Sequence, residues 1–176
     1  MKRPRLLLLD ANAVFALFHY GAWNGLCASY EVVVPETVVR EAVFYKSRET
    51  GRRVELDLAR EAREGRIAEI VVPPLEIALL RSRFDPSFRK QLEDGEAEAI
   101  AYLLAHADDD MAFVTADASA LEAVAMLGLA ERAMCLGDVL RLCGLGRALS
   151  WQHGPDFFRE HIQIGLQRFV TGEGLA

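Results

Sequence analysis

Apolar residues along this chain follow two rhythms: short unbroken runs, and longer stretches in which they recur every three or four positions. The unbroken runs are Leu6-Leu7-Leu8-Leu9, Val32-Val33-Val34 within Glu31 to Pro35, and Met111-Ala112-Phe113-Val114-Thr115. Each reads as a strand buried on both faces, as strands of a parallel sheet are. Ile67 to Val72, closed by Pro73-Pro74, reads as a short extended segment, and Ala133 to Leu136 as a last, shorter strand. The periodic stretches predict helices. One begins at Ala13 to Leu17 and ends in a turn over His19 to Trp23; the next covers Glu36 to Lys46, with Pro35 near its first turn. Leu75 to Arg83 is helical up to the break at Asp85-Pro86, and Leu92 to Leu104 is helical with Asp94 as N-cap. Ser119 to Leu127, Val139 to Cys143 and Pro155 to Val170 complete the set. Strands alternating with helices at this spacing imply βαβ units, hence an α/β fold around a mainly parallel sheet.

Between Tyr45 and Arg66 the pattern gives way to dense charge. Glu49 with Arg53, Arg53 with Asp57 and Arg60 with Glu64 are spaced i,i+4, which fits a solvated helix; the other reading is that these arginines track a phosphate backbone. The 176 residues, 52% hydrophobic, suit one packed domain over residues 1–145 and a helical extension over 146–176 that packs on it or lies at an interface. No apolar run approaches the roughly 20 residues that span a bilayer, so a soluble protein with no membrane partner is expected. The start, Met1 to Arg5 followed by leucines, imitates a signal peptide, but Asp10 and Asn12 interrupt the apolar region early. Cys27, Cys135 and Cys143 are odd in number and contain no CxxC pair, which fits buried free thiols in a reducing, cytoplasmic setting. A net charge of -6 ordinarily counts against a nucleic-acid partner. Here five of the acids are the candidate site residues, so that balance decides little.

Those acids are Asp10, Glu41, Glu96, Glu98 and Asp117. Asp10 and Asp117 follow strongly apolar strands, so a parallel sheet would bring both to its C-terminal edge. Glu41 and one of Glu96 or Glu98 would close the ring from flanking helices. Residues two apart on a helix lie about 200 degrees apart around its axis, so Glu96 and Glu98 cannot both face one site. Glu96 is nearer the helix start and is preferred, with Glu98 kept as a candidate. Carboxylates gathered in this way repel unless a cation lies between them. Oxygen ligands without a histidine or cysteine cluster point to Mg²⁺ or Mn²⁺, and the chemistry that fits best is phosphodiester hydrolysis. The four histidines suggest surface or satisfied positions. No nucleophile elbow is present, and Gly144-Leu145-Gly146 reads as a turn.

Four stretches carry a family resemblance: Leu8 to Phe15, Pro35 to Glu41, Gly95 to Ala101, and Val114-Thr115-Ala116-Asp117. In order and spacing they resemble the PIN-domain family of compact metal-dependent nucleases, which includes VapC-type toxins. The likeness covers position 6 to about 140. It implies an αβα sandwich, Mg²⁺ or Mn²⁺ as cofactor, and endonucleolytic cleavage of single-stranded RNA. A toxin role would further require a small antitoxin-like protein that occludes the acidic edge, while the apolar stripe of the C-terminal helix, from the residues alone, offers a contact for a second copy of the chain or another partner. Metal-ligand and catalytic roles fall on Asp10, Glu41, Glu96 (or Glu98) and Asp117, and supporting roles on Asn12, Thr115 and Ser119. Ser119 departs from the pattern, since family members often carry another acid there; one metal or two is left open. A haloacid-dehalogenase-type phosphatase also opens with a strand and an aspartate, but it needs a second Asp where this chain has Asn12, and a phospho-accepting receiver domain fits the remaining pattern poorly. The non-enzymatic alternative is a PIN-like module that binds RNA or protein without cutting.

Overall fold

The computed structural model describes residues 6–47, 50–106, 110–144 and 148–176. Among these residues the strands are β1 (Leu6–Leu9), β2 (Glu31–Pro35), β3 (Phe44–Lys46), β4 (Arg53–Glu55), β5 (Ala68–Ile70), β6 (Met111–Thr115) and β7 (Ala133–Cys135). Five of them form one sheet in the order β5-β2-β1-β6-β7, every neighbouring pair parallel, with Leu8 in register with Val33 on one side and Phe113 on the other. The helices are α1 (Ala11–His19), α2 (Trp23–Ser29), α3 (Glu36–Glu41), α4 (Leu58–Arg63), α5 (Pro74–Arg81), α6 (Pro86–Arg89), α7 (Asp94–Ala105), α8 (Ala118–Met126), α9 (Leu136–Leu142) and α10 (Pro155–Thr171).

Because successive strand residues point to opposite faces, the leucine run of β1 feeds two cores. Leu7 and Leu9 pack with Val14, Leu17, Leu26, Val38 and Leu140 on one face of the sheet. Leu8 packs with Phe113, Leu80, Phe88, Ile100 and Val124 on the other. Helices therefore cover both faces of a parallel sheet, consistent with an αβα sandwich. None of the described helices is long and apolar enough to cross a membrane, and the three cysteines are free.

The structure departs from the sequence pattern in five places, one of them α6, a short helix that Asp85 caps where the sequence reads only a break. The helix expected over residues 36–46 stops at Glu41, and Phe44-Tyr45-Lys46 instead forms β3, paired antiparallel with β4. Aromatic packing overrides the helical pattern: Tyr45 lies 5.5 Å from Phe18, and Phe18 stacks on Trp23. The solvated helix expected over residues 45–66 is reduced to α4, because Gly51 takes φ +66 in the turn between β3 and β4. Arg60 does pair with Glu64, at 2.6 Å, while Arg48 and Glu49 lie outside the described residues. An unanticipated helix, α2, follows Gly21 and buries Trp23 and Leu26. Finally, the N-cap of α7 is Glu93, with Asp94 inside the helix. The expected helix end over residues 107–110 falls mostly outside the described residues, as do Met1 to Arg5 and Leu145-Gly146.

The C-terminal helix α10 lies against α8. Gly165 permits that approach, since a Cβ there would stand 2.5 Å from the Glu122 carbonyl oxygen. Buried Glu122 takes Nδ1 of His161 at 2.8 Å and Nη1 of Arg168 at 2.5 Å.

Candidate metal centre

Among the helices that begin at the C-terminal edge of the sheet, three carry an acid as cap. Asp10, the residue after β1, accepts a hydrogen bond from the Ala13 backbone N–H at 2.7 Å and so caps α1. Asp117, two residues beyond β6, caps α8 by accepting from the Ala120 N–H at 3.1 Å. Glu93 and Glu96 form a reciprocal capping box at the start of α7, with the Glu93 N–H donating to Glu96 Oε2 at 3.1 Å. The positive ends of three helix dipoles thus face the same group of carboxylates.

Thr115 and Ser119 tie this group together. The Thr115 hydroxyl donates to Asp10 Oδ2 and accepts from the Asp117 N–H at 2.9 Å, so one side chain sets both aspartates. The Ser119 hydroxyl reaches Asp117 Oδ1 at 2.5 Å and the Gln91 carbonyl at 3.1 Å.

A small solvent-open recess is lined by Asp10, Ala11, Asn12, Val38, Glu41, Glu93, Gly95 and Glu96, with no basic side chain on its wall. Glu41, the last residue of α3, and Asn12 are exposed at its mouth. Gly95 lets α7 approach α3, since a Cβ would meet Val38 Cγ2 at 2.9 Å. Asp10 is only 1% exposed, and burial pushes its carboxyl up to about 7 against the lowering effect of the Thr115 and Ala13 bonds. Burial, followed by the negative charge of Asp117, pushes Glu96 up to about 8. Capping alone does not explain this arrangement, because serine, threonine or asparagine would cap without the cost of burying a carboxylate.

The structure separates Glu96 from Glu98. Glu96 lines the recess, whereas both Glu98 oxygens are used elsewhere, accepting from the Thr37 N–H at 3.1 Å and the Val72 N–H at 3.4 Å. Glu98 thus bolts α7 to α3 and to the segment after β5. Asp117, Thr115 and Ser119 are not on the wall of the recess, although Asp117 lies near enough to raise both Asp10 and Glu96. Glu93 was missed from the sequence; its signal was the E-x-x-E spacing to Glu96 at a helix start. All four histidines have hydrogen-bond partners away from the recess.

The donor set is one that hard divalent cations take: carboxylate oxygens, those of Asp10 and Glu96 with raised pKa, and no ammonium or guanidinium among them. It is not assembled as it lies, because among the described residues no group of three or more His, Cys, Asp or Glu side chains is placed to hold a metal ion. No protein-family model, no curated protein and no solved structure matches this chain.

Proposed function

We propose that this protein is a PIN-type endoribonuclease that cuts single-stranded RNA with Mg²⁺ or Mn²⁺ in the recess. One observation carries the reading: Asp10 from the end of β1 and Glu96 from the start of α7 share an acidic recess in which burial without a counter-cation keeps both carboxyls from ionising readily. A buried acid pair at the C-terminal edge of a parallel sheet, where α/β proteins hold their ligands, is a costly feature that a bound cation would relieve.

Bound divalent ions would supply polarisation of the phosphate and a water made nucleophilic near neutral pH. Asp10 and Glu96 would hold them, joined from the mouth of the recess by Glu41, whose exposed side chain is free to swing inward. Thr115 fixes the orientation of Asp10, and Ser119 that of Asp117, whose charge deepens the negative potential. Asn12 stands where its amide would meet a phosphate oxygen entering the recess. As a toxin, such a nuclease would be silenced by a small protein that covers this edge.

A non-catalytic RNA- or protein-binding module is the second reading, favoured by the lack, among the described residues, of a preassembled group of three metal-holding side chains. Incubating the protein with an end-labelled single-stranded RNA and Mn²⁺ separates the two. The nuclease yields shorter products that vanish in Asp10→Asn while circular dichroism stays native. Intact RNA with the native sequence at every Mn²⁺ concentration would rule the nuclease out.

A further inference from the structure

The β3–β4 hairpin leaves the chain three residues after Glu41, at the mouth of the recess, and nothing in the metal chemistry uses it. Its base is pinned by the Leu56 N–H donating to the Val43 carbonyl at 2.8 Å. Its length is held against α1 by the Tyr45–Phe18 contact and by His19 Nδ1, 2.8 Å from the Lys46 carbonyl oxygen. With Tyr45 turned toward α1, strand alternation turns Phe44 and Lys46 outward, and the register adds their partners Glu55 and Arg53 to the same face. The Arg53 guanidinium lies over the Phe44 ring, 3.9 Å from its centroid. Phe44, a large aromatic, is 38% exposed, and Lys46, Arg52 and Arg53 are exposed as well. None of these three cations has an ion pair with a described residue. Exposed arginines without an ion pair to a described residue occur elsewhere too, at Arg40, Arg63 and Arg83, whereas Arg60, Arg141 and Arg159 pair with acids; what sets the hairpin apart is the clustering of its cations around an exposed aromatic ring.

An exposed, arginine-capped aromatic ring on a face where Lys46 and Arg53 outweigh the acid Glu55, on a protein of net charge -6, is complementary to a polyanion whose units also carry flat faces. We propose that the outer face of this hairpin is the docking track for single-stranded RNA: Lys46 and Arg53 neutralise phosphates, Arg52 adds positive charge at the turn end beside them, and the Phe44–Arg53 pair stacks a base next to the recess. The proposal deepens the nuclease reading and rests on it for what happens to the bound strand, but docking itself needs no metal. The hairpin offsets locally the acidic field that would otherwise repel the substrate from Glu41 and Glu93.

The test is equilibrium binding of a fluorescent single-stranded RNA by anisotropy in EDTA, where no cleavage competes. In the double variant Lys46→Glu/Arg53→Glu affinity should fall at least about tenfold, and the slope of log affinity against log salt should flatten by about 1.4, as expected when two phosphates are no longer neutralised. Phe44→Ala should weaken binding severalfold with the salt slope unchanged, which a purely electrostatic contact would not do. Arg159→Glu on α10, equally exposed, should leave binding as it was. RNA affinity unchanged in the double variant overturns the proposal. So does a double variant that keeps its RNA affinity and instead ceases to bind poly-glutamate, which would mark a site for an acidic protein. Asp10→Asn should bind RNA in EDTA at least as well as the native chain, so a nuclease that fails to cut and a hairpin that fails to dock give different results.

Discussion

Asp10 carries three duties in one side chain: it caps α1, it receives the Thr115 hydroxyl, and it faces the recess. Its cost is measurable without any substrate. When folding raises the pKa of a carboxyl group, the native protein holds the proton more tightly than the unfolded chain does. Stability is then full below the unfolded value and drains away as pH climbs to the folded one. For Asp10 that window runs from 3.8 to about 7, and for Glu96 from 4.5 to about 8. Thermal unfolding in EDTA should therefore show Tm falling steadily from pH 5 to pH 8, each group contributing a slope of at most about 1.4 kcal/mol per pH unit. Asp10→Asn should flatten the profile, since its Oδ1 still accepts from Ala13 and its amide can donate to Thr115 Oγ1. Added Mn²⁺ should raise Tm far more at pH 8 than at pH 5, because binding requires the deprotonated acids. A metal-free Tm that stays level across this range would contradict the burial cost assigned to both residues.

At the level of elements, α7 divides its two glutamates between the recess and the architecture. The helical angle between Glu96 and Glu98 was legible in the sequence, and so was the convergence of β1 and β6, because both follow from fixed local periods. The sequence favours Glu96 only for its place nearer the helix start; what ties Glu98 elsewhere was not legible, because it depends on where Thr37 and Val72 arrive from distant parts of the chain to meet it. The hairpin was hidden for a related reason: its charges match helical spacing equally well, and only Gly51 in the turn and the Phe18 contact across the fold decide for strands. The division predicts opposite outcomes for two similar substitutions. Glu98→Gln places an amide NH₂ against one of two backbone N–H donors and should cost about 1–3 kcal/mol in urea unfolding while Mn²⁺ binding persists. Glu96→Gln keeps an oxygen for the Glu93 N–H, so stability should hold at neutral pH or improve while Mn²⁺ binding, read by titration calorimetry, is lost. Equal effects of the two on metal binding would mean that the recess does not distinguish them.

Across the whole molecule, α10 joins the site to the rest of the fold through α8. The N-cap of α8 is Asp117, and one turn and a half further on Glu122 receives His161 and Arg168 from α10, so the docked helix braces the element that aims Asp117. The apolar stripe of α10 was visible in the sequence, but its contact depends on a residue with no side chain, and glycine in a helix ordinarily signals weakness. Gly165→Ala turns that contrast into a test with opposite signs. In a helix free in solution, alanine at this position stabilises by about 1 kcal/mol. Packed as it is here, the new Cβ would stand 2.5 Å from the Glu122 carbonyl oxygen and 2.6 Å from Ala125 Cβ, so α10 must shift away, weakening the Glu122 contacts. Overpacking of this kind costs about 1–3 kcal/mol, and at about 2–4 °C per kcal/mol for a chain of this size the loss is large enough to read in a thermal melt. Tm should fall, with faster amide exchange along α10. A rise would mean that α10 is not docked on α8 in solution and that Asp117 is aimed without it.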